Sequence, residues 1–294
     1  MSASTATGDA PVASERRPGT ALVVLAAVEA RRLARHPVFL VGVAAYVLLL
    51  LDLLVLTRQR ELWQLTDSVT FSIALCLGIG GFIAMNRLAG ATRDSDAVVA
   101  VPAGETTQTW ALCLACLLPL AIAGAGAVAV ALVYVADPAS YQEVPGRVDA
   151  GAHIAYLAAA WLSALGGPLL GVTVARWWRW PTAGLVGAVG LIVWSFLGIG
   201  PTLLAIDLVH LSAPYTILIT GPTEGELYVL GGNLGWRLPY VAGLCALAAI
   251  AAALHGAHGE ARRRLLRVLA VVAAVTVTCL VLSAVTGPDL VRLR

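Results

Sequence analysis

Few side chains in this sequence combine the residue type and spacing that chemistry needs. Cys113 and Cys116 have the CxxC spacing of redox and zinc sites, in which two sulfurs hold one ion or close one disulfide. No second pair and no neighbouring His or acidic residue accompanies them, so they read as small apolar packing residues. His255 and His258 adjoin Arg262, Arg263 and Arg264. A metal there would lack further ligands, whereas a cationic helix end complements the helix dipole. Asp52 is the one acid well inside an apolar run, and a charge at that depth is expensive enough to mark a functional candidate. It lies close enough to the end of the run to reach the interface or to be protonated, which favours a structural role.

RWWRW at 176 to 180 pairs aromatic rings with guanidinium groups, a combination that in a soluble protein could hold nucleic acid. Between two apolar stretches it reads as a membrane anchor, with Trp at headgroup level and Arg reaching lipid phosphate. There is no GxSxG, no HExxH and no pair of carboxylates on one helical face within the membrane, so the chain is read as carrying no catalytic constellation and is expected not to be an enzyme. All 19 basic residues are arginine. Without lysine there is no Walker A lysine, no Schiff base and no kinase strand lysine, so any ATP chemistry belongs to another polypeptide and no cofactor is expected on this one.

The elements that position these residues follow from composition. Of 294 residues, 59% are apolar and 12% charged, against the ~25% charged of a soluble domain, and the mean hydropathy is +0.85. At ~20 residues per helical crossing, this is an all-α integral membrane protein of roughly six or seven spans. A net charge of +2 gives no case for nucleic acid. The five cysteines all fall in apolar stretches and imply no disulfide framework.

Residues 1–19 have the composition of a disordered cytoplasmic tail, not of a cleaved signal peptide. From Thr20 to His36, Glu29, Arg31, Arg32, Arg35 and His36 share one arc of a helical projection, opposite Leu22, Val23, Ala26, Ala30 and Leu33. Leu25 and Val28 fall inside the polar arc. This predicts an interfacial helix over 20–36 whose Arg31, Arg32 and Arg35 meet anionic headgroups, ended by Pro37. The transmembrane domain then runs over 37–286, with spans predicted at 38–56, 68–88, 110–136, 152–175, 181–205, 237–255 and 268–286, and an outer tail follows over 287–294. Seven crossings put the termini on opposite sides. With the N-terminus inside, 13 of the 19 arginines are cytoplasmic, which is the positive-inside arrangement of a multi-pass cell-membrane protein.

Two long connections are polar enough to act. Asn86 to Thr109 is predicted as a cytoplasmic loop with an apolar pentad, Ala97 to Val101, suited to a short helix against another protein. Ile206 to Arg237 contains Pro214, Pro222, Glu224, Glu226 and the apolar TILIT, too short to cross, and is predicted as an outer re-entrant or surface turn. Glycines in GPLLG (167 to 171) and at 184, 187 and 190 are expected to be seams of close helix packing.

In order and type, several stretches resemble the permease subunits of the type-two ATP-binding-cassette (ABC) transporter family, especially its actinobacterial members. They are VEARRLARHPVFLVG (28 to 42), FIAMNRLAGATRDSDAVVAVPAGETTQTWALCLA (82 to 115), VARWWRWPTAGLVGAVGLIV (174 to 193) and LPYVAGLCALAAIAAALHGAHGEARRRLLRVLA (238 to 270). The resemblance covers nearly the whole chain. It implies a six-helix permease core, here with a seventh transmembrane helix, that pairs with a second permease as homo- or heterodimer. It also implies two cytoplasmic ABC ATPase subunits that supply ATP hydrolysis. By the same resemblance, residues 20–36 are the connecting helix, and the coupling segment contains Arg93, Asp94, Asp96, Val98, Val99, Val101 and Glu105. Where related permeases carry Gly-Thr-Glu-Glu-Leu, this chain reads DSDAVVAVP. Some members of that family also have an outer domain after the seventh span, and none is expected here.

Two other classes compete. An ATPase-independent secondary transporter or channel requires several ionisable residues at the midplane, and only Asp52 is offered. A non-transporting membrane anchor or sensor partner is the third. The spans are lined mainly by Ala, Val, Leu and Gly, which fits a hydrophobic cargo without choosing one.

Overall fold

The computed structural model describes residues 18–56, 62–94, 104–136, 150–180, 182–196, 212–213, 218–220, 227–229 and 232–286. Its helices are α1 (Pro18–Ala34), α2 (Pro37–Leu51), α3 (Leu62–Ser72), α4 (Gly80–Asp94), α5 (Glu105–Ala115), α6 (Leu117–Ala136), α7 (Ala150–Trp177), α8 (Ala183–Phe196), α9 (Leu234–His255) and α10 (Gly259–Thr286). Two π-helical stretches interrupt the regular winding: Asp52–Leu56 extends α2, and Ile73–Ile79 joins α3 to α4. A hairpin of β1 (Leu218–Thr220) and β2 (Leu227–Val229) pairs antiparallel, with Ile219 opposite Tyr228. The apolar TILIT stretch, read from sequence as part of a turn, thus supplies a strand.

Among the described residues, six helical segments are long and apolar enough to cross a membrane: Pro37–Val55, Leu65–Thr92, Glu105–Val133, Leu157–Trp177, Leu234–His255 and Gly259–Thr286. The chain is a multi-pass membrane protein. Two boundaries differ from the hydropathy reading. Asn86–Asp94 and Glu105–Thr109, expected in a polar loop, are the helical ends of α4 and α5. Thr92 there satisfies its hydroxyl on the carbonyls of Leu88 and Ala89, and Thr109 bonds the Glu105 carbonyl, so polar side chains do not break the winding. The third span, expected as one helix, is divided at Cys116. Pro119 explains it, because its ring clashes with the carbonyl four residues back, at Ala115, where α5 stops.

The expected fifth span is described as α8 alone, about 21 Å long at ~1.5 Å per residue, short of the ~30 Å hydrocarbon core. Its two ends nevertheless reach opposite ends of the bundle. Gly184 lies against Asn86 of α4, and Trp194 donates to Ser212 Oγ at 3.1 Å, beside the start of α9, where Tyr240 bonds the Ser212 carbonyl. The last two helices form an antiparallel hairpin. Asn233 caps α9 by accepting from Gly235 N at 2.9 Å, and Asn233 and Ser283 exchange hydrogen bonds of 2.9 and 3.1 Å. Gly232 has φ of +66°, and a Cβ there would collide with Ser283 of α10, so both conformation and space demand glycine.

Span two is the hub: 61% of its apolar window is buried, against 17% for α10. Glycines of its neighbours let backbones meet it. A Cβ on Gly42 of α2 would lie 2.5 Å from the Cys76 carbonyl oxygen, and Cβ atoms on Gly167 and Gly171 of α7 would collide with the carbonyls of Gly78 and Phe82. Gly184 and Gly187 of α8 would likewise meet Asn86 and Phe82 at 2.5 Å. The expected seams therefore hold at four of five positions; Gly190 has nothing within 4 Å. Without a hydrophobic drive between helices in lipid, such close approach is what binds them.

α1 packs along α5 with a stripe different from the expected one. Leu33 is fully buried, Leu22, Leu25, Ala26, Glu29 and Ala30 are half-buried, and Val23, Val24 and Val28 face outward beside Arg31, Arg32 and Arg35. Leu25 belongs to the inward face and Val23 does not, because α5 claims one stripe of the helix and leaves a mixed apolar and basic face free.

Candidate functional site

At the arginine-rich end of the fold, where α5 begins and α7 and α9 finish, charged residues from three helices meet. Glu105 is the first residue of α5, behind the extended N-cap Gly104. Its Oε1 is 3.1 Å from His255 Nδ1 and 3.7 Å from Arg176 Nη1. Next to it, Thr106 donates to the Gly256 carbonyl at 3.2 Å. Each charge suits its helix: an acid in the first turn of α5, and basic residues in the last turns of α7 and α9. One carboxylate thereby joins three helix ends.

α7 and α9 are already latched beneath it. Thr173 donates to the Ala248 carbonyl at 2.7 Å and Trp177 Nε1 to the Ala251 carbonyl at 2.8 Å. The Trp177 ring stands edge-on to His255, 5.6 Å between centroids. The Arg176 side chain is 2% exposed, that of Glu105 43%. Sequence reading sent every arginine of RWWRW to lipid phosphate; Arg176 instead turns into the fold, while Trp178, Arg179 and Trp180 remain on the surface as a membrane anchor requires. No local signal could reveal this, because 71 residues separate Arg176 from its carboxylate.

The other candidates fall as follows. Arg31, Arg32 and Arg35 are exposed on α1, with Arg32 paired to Glu29 at 2.9 Å. Arg93 and Asp94 end α4. Asp96, Val98, Val99 and Val101 lie outside the described residues. Asp52 opens the π-helical turn at the far end of span one and is exposed, so it faces away from the interior of the bundle. Cys113 and Cys116 are free and buried in the core shared by Leu33, Phe39, Met85 and Leu112, and Cys116 Sγ bonds the Leu112 carbonyl at 3.3 Å. Among the described residues, no group of three His, Cys, Asp or Glu is placed to hold a metal. His258 is exposed, and His255 is taken by Glu105.

One further titratable group marks the corner between α1 and α2. His36, the extended N-cap of α2, has its ring Nδ1 buried without a hydrogen-bond partner. Burial, and then the nearby Arg87 cation, hold its pKa below the usual 6.5. At the opposite end, the buried Arg237 donates to the Ala213 carbonyl and lies 5.5 Å from the centre of the Tyr240 ring. Comparison with protein-family models, curated proteins and solved structures finds no match for this chain.

Proposed function

We propose that this chain is the membrane-spanning permease subunit of an ABC transporter, in the export direction, forming a path with a second permease and driven by separate cytoplasmic ATPase subunits. Its arginine-rich end is then cytoplasmic, following the positive-inside rule, and places the N-terminus inside and the C-terminus outside. The observation that supports the reading best is the contact of Glu105 with Arg176 and His255. Arg93 to Thr107 is the coupling segment that the ATPase would push, and Glu105 within it is tied to the ends of α7 and α9.

A displacement of that segment would therefore be delivered to two spanning helices at once. Closure of an ATPase pair on ATP would bias the bundle between two arrangements, and the differential contact of the ATPase with the two is what ATP would shift. The outward valines and arginines of α1 would lie at the headgroups beside the same partner. Val98, Val99 and Val101 would supply the apolar docking surface.

The double variant Val98→Asp, Val99→Asp tests this. A P-loop ATPase should co-purify with the wild-type chain and be lost from the variant, while Asp52→Asn keeps it. Retention of the ATPase by the double variant at wild-type yield would remove the docking assignment. Absence of any ATPase from the wild type would favour a secondary transporter or channel.

A further inference from the structure

Span two, α7, α8 and α9 surround a cavity of about 380 Å³, inside the ~300–1,000 Å³ range of small-molecule sites. No charged residue lines it. Its large walls, among them Leu162, Leu170, Leu191, Trp194 and Leu247, are half-buried, so the space is accessible and not sealed. Four of its five polar side chains, all but Ser195, already donate within the protein. Ser163 bonds the Ala159 carbonyl at 3.1 Å, Thr173 the Ala248 carbonyl, Cys245 the Leu162 carbonyl at 3.3 Å, and Trp194 the Ser212 hydroxyl. An occupant with polar groups would lose its water here without gaining those partners.

The cavity is elongated along the helices. α9 lines it from Val241 to Ala251 and α7 from Leu162 to Thr173, a length of about 15 Å at ~1.5 Å per residue. That is half of the ~30 Å hydrocarbon core, the depth of one leaflet. One end lies a helical turn from Arg176, and the other reaches Phe71 of span two and Trp194 of α8, in the half of the bundle away from the arginines.

We infer that this cavity is a lipid site, holding one acyl chain of a phospholipid. A second copy of the chain is the rival occupant. Helices pair in membranes through small residues that let backbones touch, and here those residues are spent internally: Gly167 receives the Gly78 carbonyl, and a Cβ on Gly166 would lie 3.1 Å from Cys245 Sγ. What remains is a concave hydrocarbon wall. The site does not depend on an ATPase partner and stands whether or not one binds.

The test uses the full chain in nanodiscs containing phosphatidylglycerol and phosphatidylcholine, with a trace of phosphatidylglycerol carrying a photoreactive diazirine on its acyl chain. Labelled residues are identified by peptide mass spectrometry. The peptide containing Leu191 and Trp194 should label saturably with probe fraction, whereas outward Val271 and Val275 of α10 should label in simple proportion to it. In Ala74→Trp and Leu170→Trp, which fill the cavity from two different walls, the first signal should drop to the level of the second. Proportional labelling at Leu191 and Trp194, filled variants that label like wild type, or crosslinks from these residues to a second copy would overturn the assignment. Saturation is read on the wild-type chain, so the decision stands even where a variant fails to fold.

Discussion

Glu105 offers the sharpest single-residue test of how the helix ends are joined. Removing it leaves the buried Arg176 guanidinium without its carboxylate. Because Glu105 is itself partly exposed, Glu105→Ala should cost about 1–3 kcal/mol, less than the ~3–5 kcal/mol of a fully buried pair. In a double-mutant cycle with Arg176→Met, the two losses should not add, since each removes the same pairing; strict additivity in thermal unfolding would deny it. His36 gives a prediction in pH. Its folded pKa is depressed, so the unfolded chain binds a proton that the folded chain refuses, and stability rises with pH across the window just below 6.5. Acidification from pH 7.5 to 5.5 should therefore lower the melting temperature of the wild type more than that of His36→Asn. An equal drop in both would show that the ring does not carry the effect.

Among the helices, span two is where a single methyl group should matter most. Gly171→Ala sets a Cβ against the Phe82 carbonyl, and backbone cannot step aside as a flexible side chain can. Overpacking of this kind costs ~1–3 kcal/mol, so the variant should melt well below wild type, while Gly190→Ala, which has open space, should not; equal melting temperatures would contradict the seam. The seams were legible because small residues recur in apolar runs that have little else to pack with. So were the spans, since hydrocarbon demands long apolar helices. The break at Cys116 could be read from Pro119, although composition averages over it. The inward turn of Arg176 was not legible: RWWRW carries an interfacial pattern, and its carboxylate comes from a helix start 71 residues away. The true stripe of α1 was equally hidden, because which of Val23 and Leu25 faces inward is decided by α5 and not by the helix itself.

At the scale of the molecule, six apolar spans, a shorter α8 and an outward basic helix leave little of the described chain to do chemistry. On the proposed reading, energy would come from outside it, by a partner or by an ion gradient. A gradient-driven carrier needs acids at the midplane of the bundle; Asp52 faces outward and Asp67 sits two residues from the end of span two. The arrangement at the arginine-rich end instead suits a push delivered by a partner, with Glu105 passing it to α7 and α9. Native mass spectrometry of the complex extracted from its own membrane tests that claim most directly. The account predicts an assembly of two permease chains, this one contributing 30.4 kDa, with two P-loop ATPase subunits that dissociate together. A chain found alone, or only with copies of itself and lipid, would contradict it.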